Sequence, residues 1–469
     1  MLRDVTNRRR FESLETRAML AADAVTAVVT GTNLSITGDG GDDTFLVAGD
    51  GTAGDVVITG FTSSGGNTTL INGNPSVTLT GVTGNVTINL GTGTTGGATV
   101  SVADLTVGRN LSMTGNAGDD DTIDVGTVAP ATTPSPLLPT NAVTVTGNLT
   151  IRAGNGDGDS ITIGETPTLA GDVVTVSGDM SVTVGNGGDT ITELSLAVSR
   201  DETINAGSGD DSITIGGPTV AGSGVTIGRG LSISVGSGDD SITEESTSVA
   251  RTESISLGSG DDTVALGAPS LSVTASVSPA VHAAAIAQVV ADRDVSVGRD
   301  LDIQMGTGDS SLTATGVQIG DTLLITGGGG FGFGGGYGGG FGGFGGGFFG
   351  RFVNTADDTI TLDDVTSEGA GIFTGFSTTD VVSITGSTFD DLGVGLGSGS
   401  GSLSIGTTAT NHSTTLVGLG TANTYTDLGG NSFTNLHTYG LTPAPTTTVV
   451  APTPAKEGPG GKITPTFKR

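Results

Sequence analysis

The chain lacks several residue types on which common functions depend. None of its 469 residues is cysteine or tryptophan, and its three histidines, His282, His412 and His437, lie far apart in the sequence. These absences exclude a disulfide framework, a cysteine-based zinc site and a thiol nucleophile. Neither an H-E-x-x-H motif nor a G-x-S-x-G elbow with a plausible base is present. The sequence therefore predicts a protein that is not an enzyme.

Positive charge is scarce as well. The formal net charge is −31 at pH 7, and all three lysines lie in the last fourteen residues. Residues 18–455 contain eight arginines and 44 acidic side chains. Because phosphate binding depends on Lys and Arg, such a body repels nucleic acid and anionic membranes and attracts cations. No apolar run approaches the ~20 residues of a membrane-spanning helix, so no transmembrane segment is predicted.

Glycine, by contrast, is abundant, with 84 residues, and much of it belongs to one recurring phrase. Val235–Thr243 reads VGSGDDSIT, and close copies begin at Val184, Ala206 and Leu257. The second Asp of successive copies stands at 159, 189, 211, 240 and 262, in steps of 30, 22, 29 and 22 residues. Periods of about 20 to 50 residues are typical of solenoids, propellers and arrays. A unit that recurs this often is architectural before it is catalytic.

The period and the segments between the turns predict the fold. Runs such as Val86-Thr87-Ile88-Asn89 alternate apolar and polar residues and end at Gly, Asn or Asp, as β-strands do. A propeller blade needs about 40 residues, whereas two or three short strands with their turns fit the observed steps. We predict an all-β parallel β-helix, or β-solenoid, of about 22–30 residues per rung with loop inserts. Ile213 and Ile215 should point inward, and Ser212 and Thr214 outward.

Composition divides the chain into three parts. Residues 1–22 are rich in Arg, residues 23–440 hold the repeats, and residues 441–469 form a Pro/Thr-rich tail. Within the repeats, the Ala-rich segment 279–292 predicts a helix. The segment 127–140 is a Pro/Thr-rich loop, and 327–350 consists of Gly with Phe and Tyr.

The N-terminal part resembles a known sorting motif. The residues that carry the resemblance are Arg10-Phe11-Glu12-Ser13 followed by Leu14-Glu15-Thr16-Arg17-Ala18-Met19-Leu20. They are similar to the LEPR-XLL-type motif that opens many exported proteins of planctomycete bacteria, with Thr16 in place of Pro and Met19 in place of Leu. The resemblance covers about 20 residues and implies an extracellular or cell-surface location. An amphipathic helix that caps the solenoid is an alternative interpretation compatible with the first.

The acidic turn resembles the calcium-binding nonapeptide G-G-x-G-x-D-x-U-x of RTX proteins. Gly236, Gly238, Asp240 and Ile242 occupy the second Gly, third Gly, Asp and apolar positions, and Val235 replaces the first Gly. RTX nonapeptides follow one another in tandem, whereas here one copy occurs per rung. If the turns stack, carboxylates recur every ~5 Å, and calcium with its oxygen ligands relieves their repulsion. The predicted calcium ligands are Asp43, Asp120, Asp159, Asp189, Asp211, Asp240, Asp262 and Asp358.

Other interpretations remain open from the sequence. Asp39, Asp210 and Asp239 in calcium-free turns would close Asx-turns and face solvent. The Ser and Thr residues after each turn form a ladder similar to that of ice-binding solenoids. A polysaccharide lyase or hydrolase on a β-helix is the enzymatic alternative, although the repeats contain no Lys and no Trp. We predict an exported or cell-surface structural or adhesive repeat protein that binds calcium, with cell-surface polysaccharide or other matrix proteins as further partners.

Overall fold

Alternating apolar and polar residues form strands, because side chains at every second position pack into the interior. The computed structural model of the protein describes residues 24–443 except 64–65, 94–95, 119, 128–141, 166–172, 218–223, 268–294, 328–356, 375–378, 398 and 421. In this part of the chain every regular element is a β-strand. The predicted export segment 1–22 and the predicted helix 279–292 lie outside the described residues. So do nearly all of 127–140, 327–350 and the tail 441–469.

The strands coil into a solenoid with three faces, called A, B and C in the order in which the chain visits them. Face A consists of β9 (Leu105–Val107), β12 (Val143–Val145), β15 (Val174–Val176), β18 (Leu196–Val198), β21 (Val225–Ile227), β24 (Thr247–Val249), β27 (Ser296–Val297) and β30 (Gln318–Ile319). Face B consists of β2 (Asn33–Thr37), β7 (Val86–Asn89), β10 (Leu111–Thr114), β13 (Leu149–Arg152), β16 (Met180–Thr183), β19 (Glu202–Asn205), β22 (Leu231–Ser234), β25 (Glu253–Ser256), β28 (Leu301–Gln304) and β31 (Thr322–Thr326). Face C consists of β3 (Thr44–Gly49), β8 (Thr99–Ala103), β11 (Thr122–Val125), β14 (Ser160–Ile163), β17 (Thr190–Glu193), β20 (Ser212–Ile215), β23 (Ser241–Glu244), β26 (Thr263–Leu266), β29 (Ser311–Thr315), β32 (Thr359–Asp363), β34 (Val381–Thr385), β36 (Ser402–Gly406), β38 (Thr424–Gly429) and β41 (Thr442–Pro443).

Toward the C-terminal end, faces A and B merge. Three strands continue both faces: β33 (Thr366–Phe373), β35 (Thr388–Leu396) and β37 (Ala409–Gly418). The two halves of β37 pair with the separate strands β39 (Ser432–Phe433) and β40 (Leu436–Tyr439). The merger occurs at β33, which pairs with β30 through Thr366 and with β31 through the segment 369–373.

Each strand pairs in parallel with the strand of the same face in the next rung. On face C, for example, Ser212 lies opposite Ser241 and Ile213 opposite Ile242, with no shift in register. The predicted parallel β-solenoid is confirmed, and it uses three strands per rung before the faces merge. Where the connection between faces C and A is short, as from Glu193 to Leu196, the rung has 22 residues. Most longer rungs carry inserts at this same corner, but the residues between β31 of face B and β32 of face C form an insert at the corner between faces B and C.

The N-terminal end departs from this parallel pairing. Its additional strands are β1 (Ala24–Thr30), β4 (Val56–Gly60), β5 (Leu70–Ile71) and β6 (Ser76–Leu79). The strand β1 pairs antiparallel with β2, and β4 pairs antiparallel with both β3 and β6. These strands cover the sheet edge with which the first rung begins, an edge that would otherwise be open to further pairing.

The core is a continuous stack of Val, Ile and Leu side chains. Ile213 and Ile215 are fully buried, Ser212 is exposed and Thr214 is half-buried, so the predicted facing of these residues is confirmed. Each rung contacts mainly its two neighbours. Stability is therefore approximately a sum of rung and nearest-neighbour contributions, as in other solenoids.

Candidate functional site: the aspartate edge

The recurring acidic turn connects face B to face C. Within it, Gly207 and Gly209 adopt the left-handed φ values 92° and 124°. The backbones of successive turns also approach so closely that a Cβ on Gly236 would overlap the carbonyl oxygen of Gly207. Glycine is required for both reasons. The G-x-G phrase is thus explained by stacking of the turns.

The residue immediately before each face C strand forms what we call the inner column. Most of its members are aspartates whose side chains are buried. They are Asp43, Asp121, Asp159, Asp189, Asp211, Asp240, Asp262, Asp358 and Asp380. Ala98 and Ser310 interrupt the column, and Gly401 and Asn423 follow it. The turn geometry therefore places one acidic group at nearly every rung along one edge of the solenoid.

Hydrogen bonds link the inner column from rung to rung. The Oδ1 atom of Asp240 accepts a bond of 2.8 Å from the backbone N–H of Asp211, and Oδ1 of Asp211 accepts one of 2.9 Å from the N–H of Asp189. The same bond joins Asp240 to Asp262 at 3.0 Å. Each carboxylate thereby satisfies a buried backbone donor of the preceding rung. Bonds of this kind to an ionised acceptor are among the stronger hydrogen bonds in proteins.

The second carboxyl oxygen, Oδ2, receives no such hydrogen bond in four of these aspartates. No N–H or O–H group of the described residues donates to the buried Oδ2 atoms of Asp189, Asp211, Asp240 and Asp262. Burial raises the pKa of Asp189 to about 7 and that of Asp211 to about 6, against the backbone hydrogen bond, which lowers both. The charges of neighbouring aspartates raise these pKa values further. Asp189, Asp211, Asp240 and Asp262 therefore each present a buried carboxyl oxygen that no described donor compensates.

The first Asp of each turn forms an exposed outer column. Its members are Asp210, Asp239, Asp261 and Asp309, which are exposed, and Asp357, which is half-buried. The Oδ1 of Asp210 accepts from the N–H of Asp239 at 2.9 Å, and Oδ1 of Asp239 accepts from Asp261 at 2.9 Å. Here the N–H donor belongs to the following rung, whereas the donor to an inner-column aspartate belongs to the preceding rung. Asp210 and Asp239 thus bridge rungs, whereas Asp39 closes the Asx-turn considered above by accepting from the N–H of Gly41.

Five described arginines lie at a different corner, between faces A and B, whereas Arg152 ends β13 on face B; the five are Arg109, Arg200, Arg229, Arg251 and Arg299. Arg229, Arg251 and Arg299 stack through backbone hydrogen bonds in successive rungs. Two exposed ion pairs occur there, Arg200 with Asp179 at 3.3 Å and Arg229 with Asp201 at 3.7 Å. These five arginines therefore lie away from the aspartate edge.

Seven of the eight predicted site residues belong to the inner column, and Asp120 does not. Asp120 is exposed, and the buried position in its rung is taken by Asp121, whose Oδ1 accepts from Ala98 at 2.8 Å. In this rung the buried position lies one residue beyond the predicted ligand, because its turn, GNAGDDD, contains an additional residue. Asp380 and Asn423 were missed because no G-x-G-D-D phrase precedes them. The 22-residue spacing from Asp358 to Asp380 was the available signal.

The central part of face C, from β14 to β32, has an outward surface of small uncharged side chains. From β14 to β32 the first two outward positions of each strand hold only Ser, Thr or Ala, in unbroken parallel register. Neighbouring rungs lie ~4.8 Å apart, and alternate residues along a strand lie about 6.6 Å apart. This surface, which we call the hydroxyl face, is regular in both directions. It contrasts with the acidic edge beside it.

Among the described residues, no group of three or more His, Asp or Glu side chains is arranged to hold a metal ion. A cation at the aspartate edge would therefore need carbonyl oxygens or water to complete its ligands. None of the described segments forms a helix long and apolar enough to cross a membrane. Comparisons with protein families, with curated proteins and with solved structures gave no match to this chain.

Proposed function

We propose that the chain is an exported or cell-surface structural and adhesive protein whose aspartate edge binds calcium. The observation that carries the proposal is the series of buried Oδ2 atoms in Asp189, Asp211, Asp240 and Asp262 that receive no hydrogen bond. A buried carboxylate oxygen without a donor is costly, and a bound cation removes that cost.

The donor set favours calcium over other metals. All available ligands at the edge are hard oxygens, from aspartates and from glycine and serine carbonyls, and no cysteine occurs. Calcium accepts irregular sets of such ligands together with water, whereas magnesium demands a near-ideal octahedron. Stacked turns offer one or two carboxylates per rung, which suits the more tolerant ion.

The hydroxyl face supports the adhesive part of the proposal. A regular, uncharged surface lets this strongly acidic protein approach a polysaccharide or another matrix protein without like-charge repulsion. Thr214 and Thr243 lie in register near its centre. Replacing both with Glu should abolish retention on insoluble cell-wall polysaccharide, with only a small fall in melting temperature from repulsion between the two carboxylates. Equal retention of the variant would contradict the adhesive role of this face.

The same regularity favours a second candidate, calcium-independent binding to ice. The spacings of the hydroxyl face repeat in two directions, as a crystalline partner requires. Measurement of thermal hysteresis in the presence of EGTA distinguishes this function. Growth of ice at the equilibrium freezing point would eliminate it.

The calcium proposal is tested by thermal unfolding in calcium, in magnesium and in EGTA. We expect the melting temperature to rise in calcium far more than in magnesium. The variant D189N/D211N/D240N/D262N should lose this rise, because Asn keeps the Oδ1 acceptor but not the charge. Protease shaving of intact cells tests location: the native protein should be digested, and full protection would contradict export.

A further inference from the structure

The interior of the solenoid contains four glutamates: Glu193, Glu202, Glu244 and Glu253. Each is at most 1% exposed. All four occupy inward positions that hold apolar residues in neighbouring rungs. Glu193 lies in register between Ile163 and Ile215, and Glu202 lies between Met180 and Leu231. The rungs around Glu244 and Glu253 are alike, with Ile215 and Leu266 beside the first and Leu231 and Leu301 beside the second.

The glutamates form two pairs. Glu193 ends β17 and Glu202 begins β19, so only β18 separates them along the chain, and their carboxyl groups lie within hydrogen-bonding reach of each other. Glu244 and Glu253 are arranged in the same way around β24. The second pair follows the first by 51 residues, which is two rungs. The pair is therefore part of a repeated two-rung unit.

No other polar group compensates these carboxyls. None of the described N–H or O–H groups donates to either oxygen of any of the four, and neither described ion pair involves them. The titratable groups that act on Glu193 are Glu202 and Glu244, and those that act on Glu244 are Glu253 and Glu202. Since no third acidic ligand joins a pair among the described residues, a metal ion is not the fitting ligand.

We propose that each pair is a proton-binding site that retains at least one proton in the folded protein at neutral pH, shared between the two carboxyl groups as an O–H···O hydrogen bond. The proton comes from water on folding and returns to it on unfolding, and no other bond changes. A doubly ionised pair combines lost hydration with repulsion between two like charges, and one proton relieves both. The proton thus takes the place of the missing donor.

The electrostatics agree with this geometry. Burial, above all, raises the pKa of Glu202 and that of Glu253 to about 7, although the hydrogen bond within each pair lowers both. Burial, followed by the charge of the paired residue, raises the pKa of Glu193 and of Glu244 well above the usual value. Because the folded pKa exceeds the unfolded one, stability is highest in acid and decreases as the pH rises through the folded pKa. The rungs from β17 to β25 should therefore loosen as the solution becomes alkaline.

The test replaces one pair with the residues that neighbouring rungs carry at the same positions, in the variant E193I/E202L. Such a variant should fold, since Ile215 and Leu231 already occupy these positions one rung away. We expect the ratio of its folding equilibrium constant to that of the wild type to be constant below about pH 4. Between about pH 5 and 7 the ratio should rise about tenfold per pH unit for each proton that the wild-type pair retains. The matched control E368Q replaces an exposed glutamate. The ratio of its folding equilibrium constant to that of the wild type should not change with pH.

A second measurement does not depend on unfolding. The difference between the infrared spectra of folded wild type and folded E193I/E202L at pH 6 should contain the carbonyl band of a protonated carboxyl group. The band should disappear as the pH is raised. A ratio that does not change with pH, or the absence of this difference band, would each overturn the proposal.

Discussion

Asp211 offers a direct test of the inner column, through the substitution D211N. Its Oδ1 accepts a hydrogen bond of 2.9 Å from the N–H of Asp189, while its buried Oδ2 receives none. An Asn side chain keeps the first bond and places an N–H₂ group at the second position. The chain contains this solution already: Asn423 accepts from the N–H of Gly401 at 2.7 Å and donates to the carbonyl oxygen of Gly397 at 2.8 Å. In D211N the corresponding acceptor is the carbonyl oxygen of Gly185, which precedes Asp189 by four residues, as Gly397 precedes Gly401.

The expected change in the free energy of unfolding of D211N follows from the pKa of Asp211. Burial, as the main cause, raises the pKa of Asp211 from 3.8 to about 6. That shift costs the ionised form about 3 kcal/mol at neutral pH. Water at the exposed outer column screens part of this cost, so we expect D211N to raise the free energy of unfolding by about 1–2 kcal/mol at pH 7.5 without calcium. The gain should vanish below about pH 4, where the wild-type carboxyl is protonated in both states.

Urea unfolding in EGTA at pH 4 and pH 7.5 measures this difference. The control D239N removes a charge from the exposed outer column and should change stability by less than about 0.5 kcal/mol. In calcium the order should reverse, because the wild type gains a bound ion that D211N holds less well. Destabilisation by D211N at pH 7.5 in EGTA would refute the view that this carboxylate is uncompensated in the absence of a cation.

Three further comparisons between variants test the packing. G236A should destabilise the fold by more than about 2 kcal/mol, because its Cβ would overlap the backbone of Gly207, whereas G51A, with open space around it, should show only the strain of its positive φ in urea unfolding. I213A should cost about 2–5 kcal/mol by leaving a cavity, and T214A, one residue away on the outer face, less than about 0.5 kcal/mol in the same assay. E202L alone should be about 1–3 kcal/mol less stable than E193I/E202L at pH 7.5, because Glu193 is then buried without its partner; equal stability would show that an unpartnered Glu193 costs no more than isoleucine at this position.

The repeat spacing predicted the fold because each rung reuses one turn. The step of 22 residues leaves room for a single short coil, and the alternation of Ile213 and Ile215 with Ser212 and Thr214 assigned the faces. The number of strands per rung was not decided by the sequence. Face A strands such as β18 have only three residues, too few for a recognisable alternation.

The site was less predictable than the fold. The motif does not show which aspartate of a turn is buried when the length of the turn varies. In the longer turn before β11, Asp121 rather than Asp120 therefore occupies the inner column. Asp380 entered the column with no glycine phrase before it. The buried glutamates had a visible signal, since Glu193 occupies an inward position in the alternation Thr190-Ile191-Thr192-Glu193. Its partner could not be inferred, because Glu202 approaches it only through the path of the chain around β18.

Calorimetric titration of the folded protein with calcium tests the central claim most directly. We predict measurable heat of binding, with more than one ion bound per chain, and the loss of most of this binding in D189N/D211N/D240N/D262N. Chelation with EGTA should reverse the binding. The absence of heat, together with an unchanged melting temperature, would contradict the account of the aspartate edge as a calcium site.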